Sequence, residues 1–442
     1  MHALRSRHVV TPEGTRPATV VVEGERIAAI EPYDLALDGC RVEDLGELAL
    51  LPGLVDTHVH LNEPGRTDWE GFATATAAAA AGGITTLVDM PLNCIPATTD
   101  VAALRRKRRA AEGQLHVDVG FYGGVIPGNA DALEPLIDAG VLGFKAFLIE
   151  SGVDELPHVG ESDLRAALPR LAARGVPLLA HCELDLGAPE PRDPRRYVEY
   201  LESRPRSWEL EAIAMLTRLG EESGARVHVV HLACADALPM LGEARSRGVA
   251  LSVETCPHYL SFAAETIPDG DPRFKCAPPI RESDQREGLW GGLREGVVDL
   301  VVSDHSPCAP ALKRMHEGDV AGAWGGIAGL QLSLSATYTE AHERGFSLDD
   351  VVRWMAEAPA RFVGLANKGR IAVGCDADLV AFDPDAAFEV ERRAILHRHD
   401  LTPYEGRTLR GAVRATWLRG ERVWDARSAS WTFSRVRGRM LG

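Results

Sequence analysis

Two histidines stand two residues apart in Asp56-Thr57-His58-Val59-His60. On an extended strand that spacing turns both imidazoles to one side. Neutral imidazole binds zinc and its neighbours well, so the pair reads as a pincer for a divalent metal. Taken alone, it reads equally as two polar histidines at a strand end. Other ionisable residues share the setting. His181 closes the run Pro177-Leu178-Leu179-Ala180, and His231 closes Val227-His228-Val229-Val230. A lone histidine after an apolar run is commonly a satisfied core residue. Several of them at equivalent strand ends, beside the pincer, point to one metal site. His228, three residues before His231, falls on the opposite face of a regular strand and is read as structural.

Asp304 closes Leu300-Val301-Val302-Ser303, where an acid is costly unless it is paired or bound to metal. A helix cap is the other reading, and the following Pro307-Cys308-Ala309-Pro310 argues against it. Lys145, in Gly143-Phe144-Lys145-Ala146-Phe147-Leu148, fits least well among metal ligands, because a free ammonium would repel the ions. It is a snorkelling lysine, a neutral amine acting as base, or an amine carbamylated by CO2 into a bridging anion. Two divalent ions less the carbamate, Asp304 and a bridging hydroxide leave about one positive charge, which can stabilise an oxyanion.

Such a site needs strands that end together. Strand candidates at residues 54–60, 85–90, 117–124, 143–148, 177–181, 227–232, 250–254 and 300–304 alternate with helix candidates at 70–81, 131–139, 161–174, 208–223 and 235–247. Several strands are apolar nearly throughout, as parallel strands covered on both faces are. Eight such units predict a (β/α)8 TIM barrel, whose active site lies at the C-terminal strand ends. A doubly wound open sheet fits less well, since no Gly-rich phosphate loop follows the first strand. Short apolar runs at 18–22, 27–30 and 48–51, with Gly24 at a hairpin turn, are matched near the far end at 370–373, 377–382, 412–417 and 421–424. This predicts a small composite β-sandwich domain of residues 1–51 and 370–442 around a barrel domain of residues 52–369.

Composition narrows the function. A net charge of −16 argues against a nucleic-acid partner, which needs clustered Lys and Arg. The one basic run, Arg105-Arg106-Lys107-Arg108-Arg109, reads as a solvated helix face, and so does the tail with Arg435, Arg437 and Arg439. The eight cysteines show no zinc-knuckle or redox spacing. No signal peptide and no apolar span is seen, so a reduced, cytoplasmic protein with no membrane partner is expected.

The chain resembles the amidohydrolase superfamily, and within it the cyclic amidases: allantoinases, dihydroorotases, hydantoinases and dihydropyrimidinases. The resemblance rests on Pro52-Gly53-Leu54-Val55-Asp56-Thr57-His58-Val59-His60, the Lys145 stretch, His181, the strand to His231, and Thr255-Cys256-Pro257-His258-Tyr259-Leu260. It extends to Cys276-Ala277-Pro278-Pro279-Ile280-Arg281, Ser303-Asp304-His305-Ser306-Pro307 and Gly374-Cys375-Asp376-Ala377-Asp378-Leu379-Val380, and so covers essentially the whole chain. It implies that His58 and His60 hold one metal and His181 and His231 the other. Lys145 would bridge both as N6-carboxylysine. Asp304 would contact the first metal and serve as acid/base. The ions would be two divalent cations, zinc foremost, with cobalt, iron or manganese also suited to the ligands. A metal-activated hydroxide would then attack a ring amide carbonyl.

The resemblance also bears on the substrate. Dihydroorotases carry an Arg, which grips a carboxylate, where this chain has Asn62. A neutral amide there suits an uncharged polar arm, and Asn62-Glu63-Pro64-Gly65-Arg66-Thr67 looks like allantoinases, whose substrate is allantoin. Turn-shaping is the other reading of Asn62. Trp324-Gly325-Gly326-Ile327-Ala328-Gly329 resembles the allantoinase loop whose backbone meets the ring, with Gly325 and Gly326 allowing close approach. Cys276 and Ala277 are expected at the substrate by the same resemblance. Hydantoinases place a Tyr where this chain has Glu150, which leaves Ser151 as the candidate oxyanion-side donor. A hydantoinase- or dihydropyrimidinase-like amidase and a dihydroorotase-like protein are the rival enzymes. A metal-free scaffold of the same fold is the rival outside enzymes. Relatives are commonly homotetramers, so an oligomer is expected.

Overall fold

The computed structural model describes residues 1–37, 39–427 and 436–442. Strands β1 (His2–Thr11), β2 (Gly14–Glu23), β3 (Arg26–Pro32), β4 (Arg41–Asp44) and β5 (Ala49–Pro52) come first. A ring of parallel strands follows: β6 (Leu54–Val59), β7 (Ile84–Asp89), β8 (Asp118–Phe121), β9 (Gly123–Gly124), β10 (Phe144–Phe147), β11 (Leu178–His181), β12 (Val227–Val229), β13 (Leu251–Thr255) and β14 (Leu300–Val301). The chain ends in β15 (Leu379–Glu389), β16 (Thr408–Leu418) and β17 (Glu421–Asp425). Strands from both ends share one eight-stranded sheet, ordered β17-β16-β15-β5-β1-β2-β3 with β4 also on β1. That sheet has its own apolar core, including Leu4, Val20, Leu50, Ile371, Leu379 and Trp417.

The barrel is built as β6-β7-β8 and β9 through β14. β8 and β9 are one strand interrupted at Tyr122, whose amide donates to the Asp89 carbonyl (3.0 Å) while that of Gly123 donates to Gly143 (3.0 Å). The ring closes where Val59 pairs with His305 and the His60 amide donates to the His305 carbonyl (2.9 Å). Helices Phe72–Ala81, Glu161–Arg174 and Arg206–Ser223 lie within two residues of their expected positions. No helix among the described residues is long and apolar enough to cross a membrane.

Strands end earlier than their apolar runs suggest, and the cause is local backbone geometry. Among the described residues, four of the six non-glycine residues with positive φ stand just past barrel strands: Asn62 (65°), Asn93 (63°), His231 (38°) and Asp304 (43°). A left-handed residue cannot continue a ladder, so β12 stops at Val229 and β14 at Val301. Such conformations cost on the order of 1–3 kcal/mol each and persist only where surrounding contacts over-determine them. At β14 one such contact is the Ser303 amide, which donates to the Asp56 carboxylate (3.1 Å). Gly53 links β5 of the terminal sheet to β6 of the ring. A Cβ there would lie 2.2 Å from Thr85 Oγ1, so only glycine lets β5 pass into β6 against β7.

The solvated-face reading of the basic run holds only in part. Helix Val101–Ala111 exposes Arg105 and Arg106 but buries Lys107, which pairs with buried Asp89 (2.5 Å) and donates to the Met90 carbonyl (2.7 Å). Helical spacing puts Lys107 on the inward side with Ala103, Leu104 and Ala111, and Asp89 makes that burial tolerable. Of the tail arginines, Arg437 pairs with Glu421 and Arg439 with Glu25, while Arg435 lies outside the described residues. The tail backbone docks on the barrel: the Val119 amide donates to the Arg439 carbonyl and that of Leu441 to Val119 (both 2.9 Å).

The other Asp89 oxygen accepts from the Leu61 amide (2.8 Å), immediately after the histidine pair. Lys107→Met strands a buried carboxylate at that turn and is expected to cost about 3–5 kcal/mol in chemical denaturation. A loss below about 1 kcal/mol, the scale of a surface ion pair, would show that Asp89 does not depend on Lys107.

Candidate metal centre and substrate cavity

His58, His60, Lys145, His181, His231 and Asp304 all face one cavity of roughly 760 Å³ at the C-terminal strand ends. Asp304 Oδ1 lies 3.2 Å from His58 Nε2 and 3.4 Å from His60 Nε2. On the facing side His181 Nδ1 lies 3.1 Å from His231 Nε2. Ligand atoms on one tetrahedral ion are about 3.3 Å apart when each bond is about 2.0–2.1 Å long. Both groups therefore have the spacing of atoms that share an ion.

The protonation pattern supports the same fit. Burial, followed by the nearby Lys145 charge, pushes His58 and His231 well below the ordinary histidine range, so both rings are neutral. His58 Nδ1 makes a short hydrogen bond to Glu254, which leaves the Nε2 lone pair facing the Asp304 carboxylate. His181 is oriented the same way: Nε2 bonds Glu183 (2.8 Å), and Nδ1 turns to the cavity. Arg204 grips that carboxylate through Nε (3.0 Å) and Nη2 (2.5 Å). Burial alone would raise Glu183, but the Arg204 charge and the His181 hydrogen bond hold it at about 2. Carboxylates placed behind ligand imidazoles fix tautomer and ring angle.

Lys145 lies fully buried between the two groups, with its Nζ unpartnered and 4.9 Å from the Phe147 ring centre. Burial pushes its pKa down to about 8, which favours a reactive neutral amine. Asp304 is also buried, which alone would raise its carboxyl, yet its contact with His60 and the nearby His258 and Lys145 hold it below its usual range. Ser306 Oγ donates to its Oδ1 (3.0 Å).

The remaining expected site residues divide. Ala277, Gly325 and Ser151 line the cavity; Asn62, Cys276 and Gly326 do not. The left-handed backbone at Asn62 turns its side chain behind the wall, where Nδ2 donates to the Pro307 carbonyl (3.1 Å). In this conformation Asn62 shapes the turn and does not face the cavity. Ser151 Oγ donates within its own loop to the carbonyls of Leu156 (2.7 Å) and Val153 (3.1 Å), so its proton is not offered to the cavity. Cys276 is buried, with Sγ on the Pro278 carbonyl. A Cβ at Gly326 would lie 2.3 Å from the Ser306 carbonyl oxygen, so this glycine serves packing beside Asp304.

His228 does not sit apart, contrary to the strand-alternation reading. Its Nε2 bonds Glu254 (2.9 Å) and its Nδ1 bonds Ser252 (2.7 Å), so it supports the carboxylate behind His58. Alternation fails because the left-handed turn at His231 brings that ring back to the same interior. Glu254 itself closes an apolar strand as Asp304 does, so the same signal was present for it in the sequence. Asn93, Arg204, Lys275 and Trp324 also line the cavity. They come from irregular loops, where periodicity carries no information.

Two of those loops are tied by one ammonium. Buried Lys313 Nζ reaches the carbonyls of Pro272 (3.3 Å), Lys275 (3.3 Å), Trp324 (3.0 Å) and Gly326 (2.5 Å). The Gly326 amide also donates to the Lys275 carbonyl (2.9 Å).

A model of the amidohydrolase family matches residues 49–423. The chain is 53% identical to an allantoinase of Streptomyces avermitilis, over 99% of this chain and 98% of that one. It is 44% identical to allantoinases of Arabidopsis thaliana (95% and 87%) and Saccharomyces cerevisiae (96% and 95%). Among solved structures, the L-hydantoinase (dihydropyrimidinase) of Arthrobacter aurescens superposes with a TM-score of 0.91 at 29% identity, covering 100% of both chains. A dihydropyrimidinase of Brevibacillus agri gives 0.89 at 28% identity, over 100% and 98%.

Lys313→Met removes charge-assisted bonds to both loops and is expected to cost about 2–3 kcal/mol. Amide hydrogen exchange at Gly325 and Gly326 should accelerate while the barrel strands stay protected. Unchanged exchange in those glycines would show that Lys313 does not hold them.

Proposed function

The chain belongs to the amidohydrolase family, and from that premise we propose that it hydrolyses the ring amide of allantoin to give allantoate. The observation that carries this reading is identity of 53% to an allantoinase of Streptomyces avermitilis and 37% to a probable allantoinase of Dictyostelium discoideum, each over nine-tenths or more of both chains, on a chain that keeps all six candidate ligand positions around one cavity. The intact ligand set disfavours a non-catalytic scaffold. The solved hydantoinases and dihydropyrimidinases share the fold at lower identity, which makes their substrates the rival reading.

His58, His60 and Asp304 would hold one divalent ion and His181 and His231 a second, with Lys145 between them as its carbamate. That adduct forms when the neutral amine nitrogen bonds the carbon of CO2 and releases a proton. The nitrogen and oxygen donors suit zinc, cobalt, iron or manganese. Such ions supply Lewis acidity at the ring carbonyl and positive charge against the developing oxyanion. Asp304, ionised and held by Ser306, accepts a proton from the attacking water and returns it to the leaving ring nitrogen. Glu254 and Glu183 keep the His58 and His181 rings turned toward the cavity throughout.

Lys145→Ala is expected to purify folded, with little bound metal by elemental analysis and activity reduced by about 10²-fold or more. Near-normal metal content and turnover would remove Lys145 from the centre. The substrate reading is tested by offering allantoin, hydantoin, dihydrouracil and dihydroorotate to metal-loaded, bicarbonate-treated enzyme. Allantoin should be preferred; preference for dihydrouracil or dihydroorotate would overturn the assignment.

A further inference from the structure

Besides Lys145, three cations line the cavity: Arg204, Lys275 and Arg314. Arg204 is committed to Glu183, and Arg314 is paired with Asp319 (2.5 Å). Lys275 has no such commitment. Among the described residues no carboxylate lies within ion-pair distance of it, and its Nζ makes one hydrogen bond, to the Ala321 carbonyl. One side of the ammonium is covered by the Tyr200 ring, 5.0 Å from its centre. Tyr200 is itself fixed by its hydroxyl on the Cys276 carbonyl (2.7 Å).

An ammonium carries three N–H donors, so Lys275 keeps donor capacity toward the cavity after bonding Ala321. A largely buried cation without an anion is costly, and it becomes less so when a ligand brings an acceptor. Burial, then the charges of Lys313 and Arg204, pushes Lys275 down to about 7, a sign of the same strain. The position is also held firmly. The Lys275 carbonyl is fixed by Lys313 and by the Gly326 amide, on the loop that carries cavity-lining Gly325. Lys275 lines the cavity next to Gly325, where an added Cβ would come only into van der Waals contact with its Cε (3.9 Å).

We propose that Lys275 is a specificity-determining residue that donates a hydrogen bond to the carbonyl of the substrate's ureido arm. The inference rests on the allantoin reading, and it assigns to Lys275 the recognition of the arm that Asn62, turned behind the wall, does not provide. The six-residue centre engages the ring carbonyl under attack; of the two carbonyls that remain, the second ring carbonyl is shared with hydantoin, and the arm carbonyl is the one outside the ring for a cation elsewhere on the wall. Recognition of the arm separates allantoin from unsubstituted hydantoin, which shares the ring and lacks the ureido group.

The test compares wild-type, Lys275→Met and Lys275→Arg metal-loaded enzymes. KM and kcat are measured for allantoin, and dissociation constants for allantoin and hydantoin. Lys275→Met should weaken allantoin by about 10- to 100-fold, mainly in KM, and change hydantoin affinity by less than about threefold. Lys275→Arg should recover part of the loss. If methionine prevents folding, Lys275→Gln, which can still donate to Ala321, replaces it with the same expectation in direction. Equal losses for both ligands, or no loss for either, would overturn the inference. Failure of the wild-type enzyme to turn over allantoin would instead overturn the functional reading, and the two dissociation constants would still decide whether Lys275 reads the arm.

Discussion

A neutral imidazole carries its proton on one nitrogen and its lone pair on the other, and the hydrogen bonds behind the cavity decide which nitrogen faces it. Glu254 lies in the barrel interior and accepts from His58 Nδ1, from His228 Nε2 and, more weakly, from the His231 amide (3.3 Å). One carboxyl group thus orients the His58 ring on β6 and anchors the chain at His231 beyond β12. Glu183 does the same for His181 and is held from outside by Arg204. Without these acids, burial would still keep the rings neutral but would not determine which nitrogen faces the cavity.

The two halves of the site are held by different physics. The ligand half stands on strand ends, where backbone ladders leave little freedom and left-handed residues at His231 and Asp304 aim side chains inward. The wall that meets the rest of a substrate is made of loops with few ladder bonds, and a buried ammonium, Lys313, gathers four of their carbonyls. Rigid strands suit side chains whose mutual spacing has to be held within tenths of an ångström. Loops gathered at one cation allow substrate contacts to vary while the centre stays unchanged, as expected for a barrel whose relatives act on different cyclic amides.

Buried ion pairs connect the site to the scaffold. Asp89, paired with Lys107, holds the Leu61 amide just beyond the histidine pincer. Farther from the site, Lys368 joins Asp118 on β8 (2.9 Å) to Asp378 of the terminal sheet (2.6 Å), and Arg419 also pairs with Asp118. Each of these cations sits where its charge would be costly alone, so removing one partner harms more than the pair itself contributes.

The eight strand candidates correspond to the strands of the ring, because apolar runs of four to six residues bounded by turn formers are a local signal. The six ligand candidates were legible for a related reason: ionisable residues at the ends of apolar runs are rare without a partner. Glu254 gave the same signal, but a strand end alone does not say whether an acid faces the ions or the rings behind them. Lys107 lay hidden inside a basic run, because composition does not show which helix face turns inward. Asn62, Ser151 and Lys275 mark the limit of sequence reasoning. The family resemblance suggested the first two at the substrate, yet a left-handed backbone turned Asn62 away and the Ser151 hydroxyl donates to carbonyls of its own loop, while nothing singled out Lys275. The sequence by itself determined the barrel strands and which ionisable residues end them, since both follow from periodicity and residue type. Only the tertiary structure decided which side chains face the cavity, because that depends on φ angles and hydrogen-bond partners contributed by residues far away in the chain.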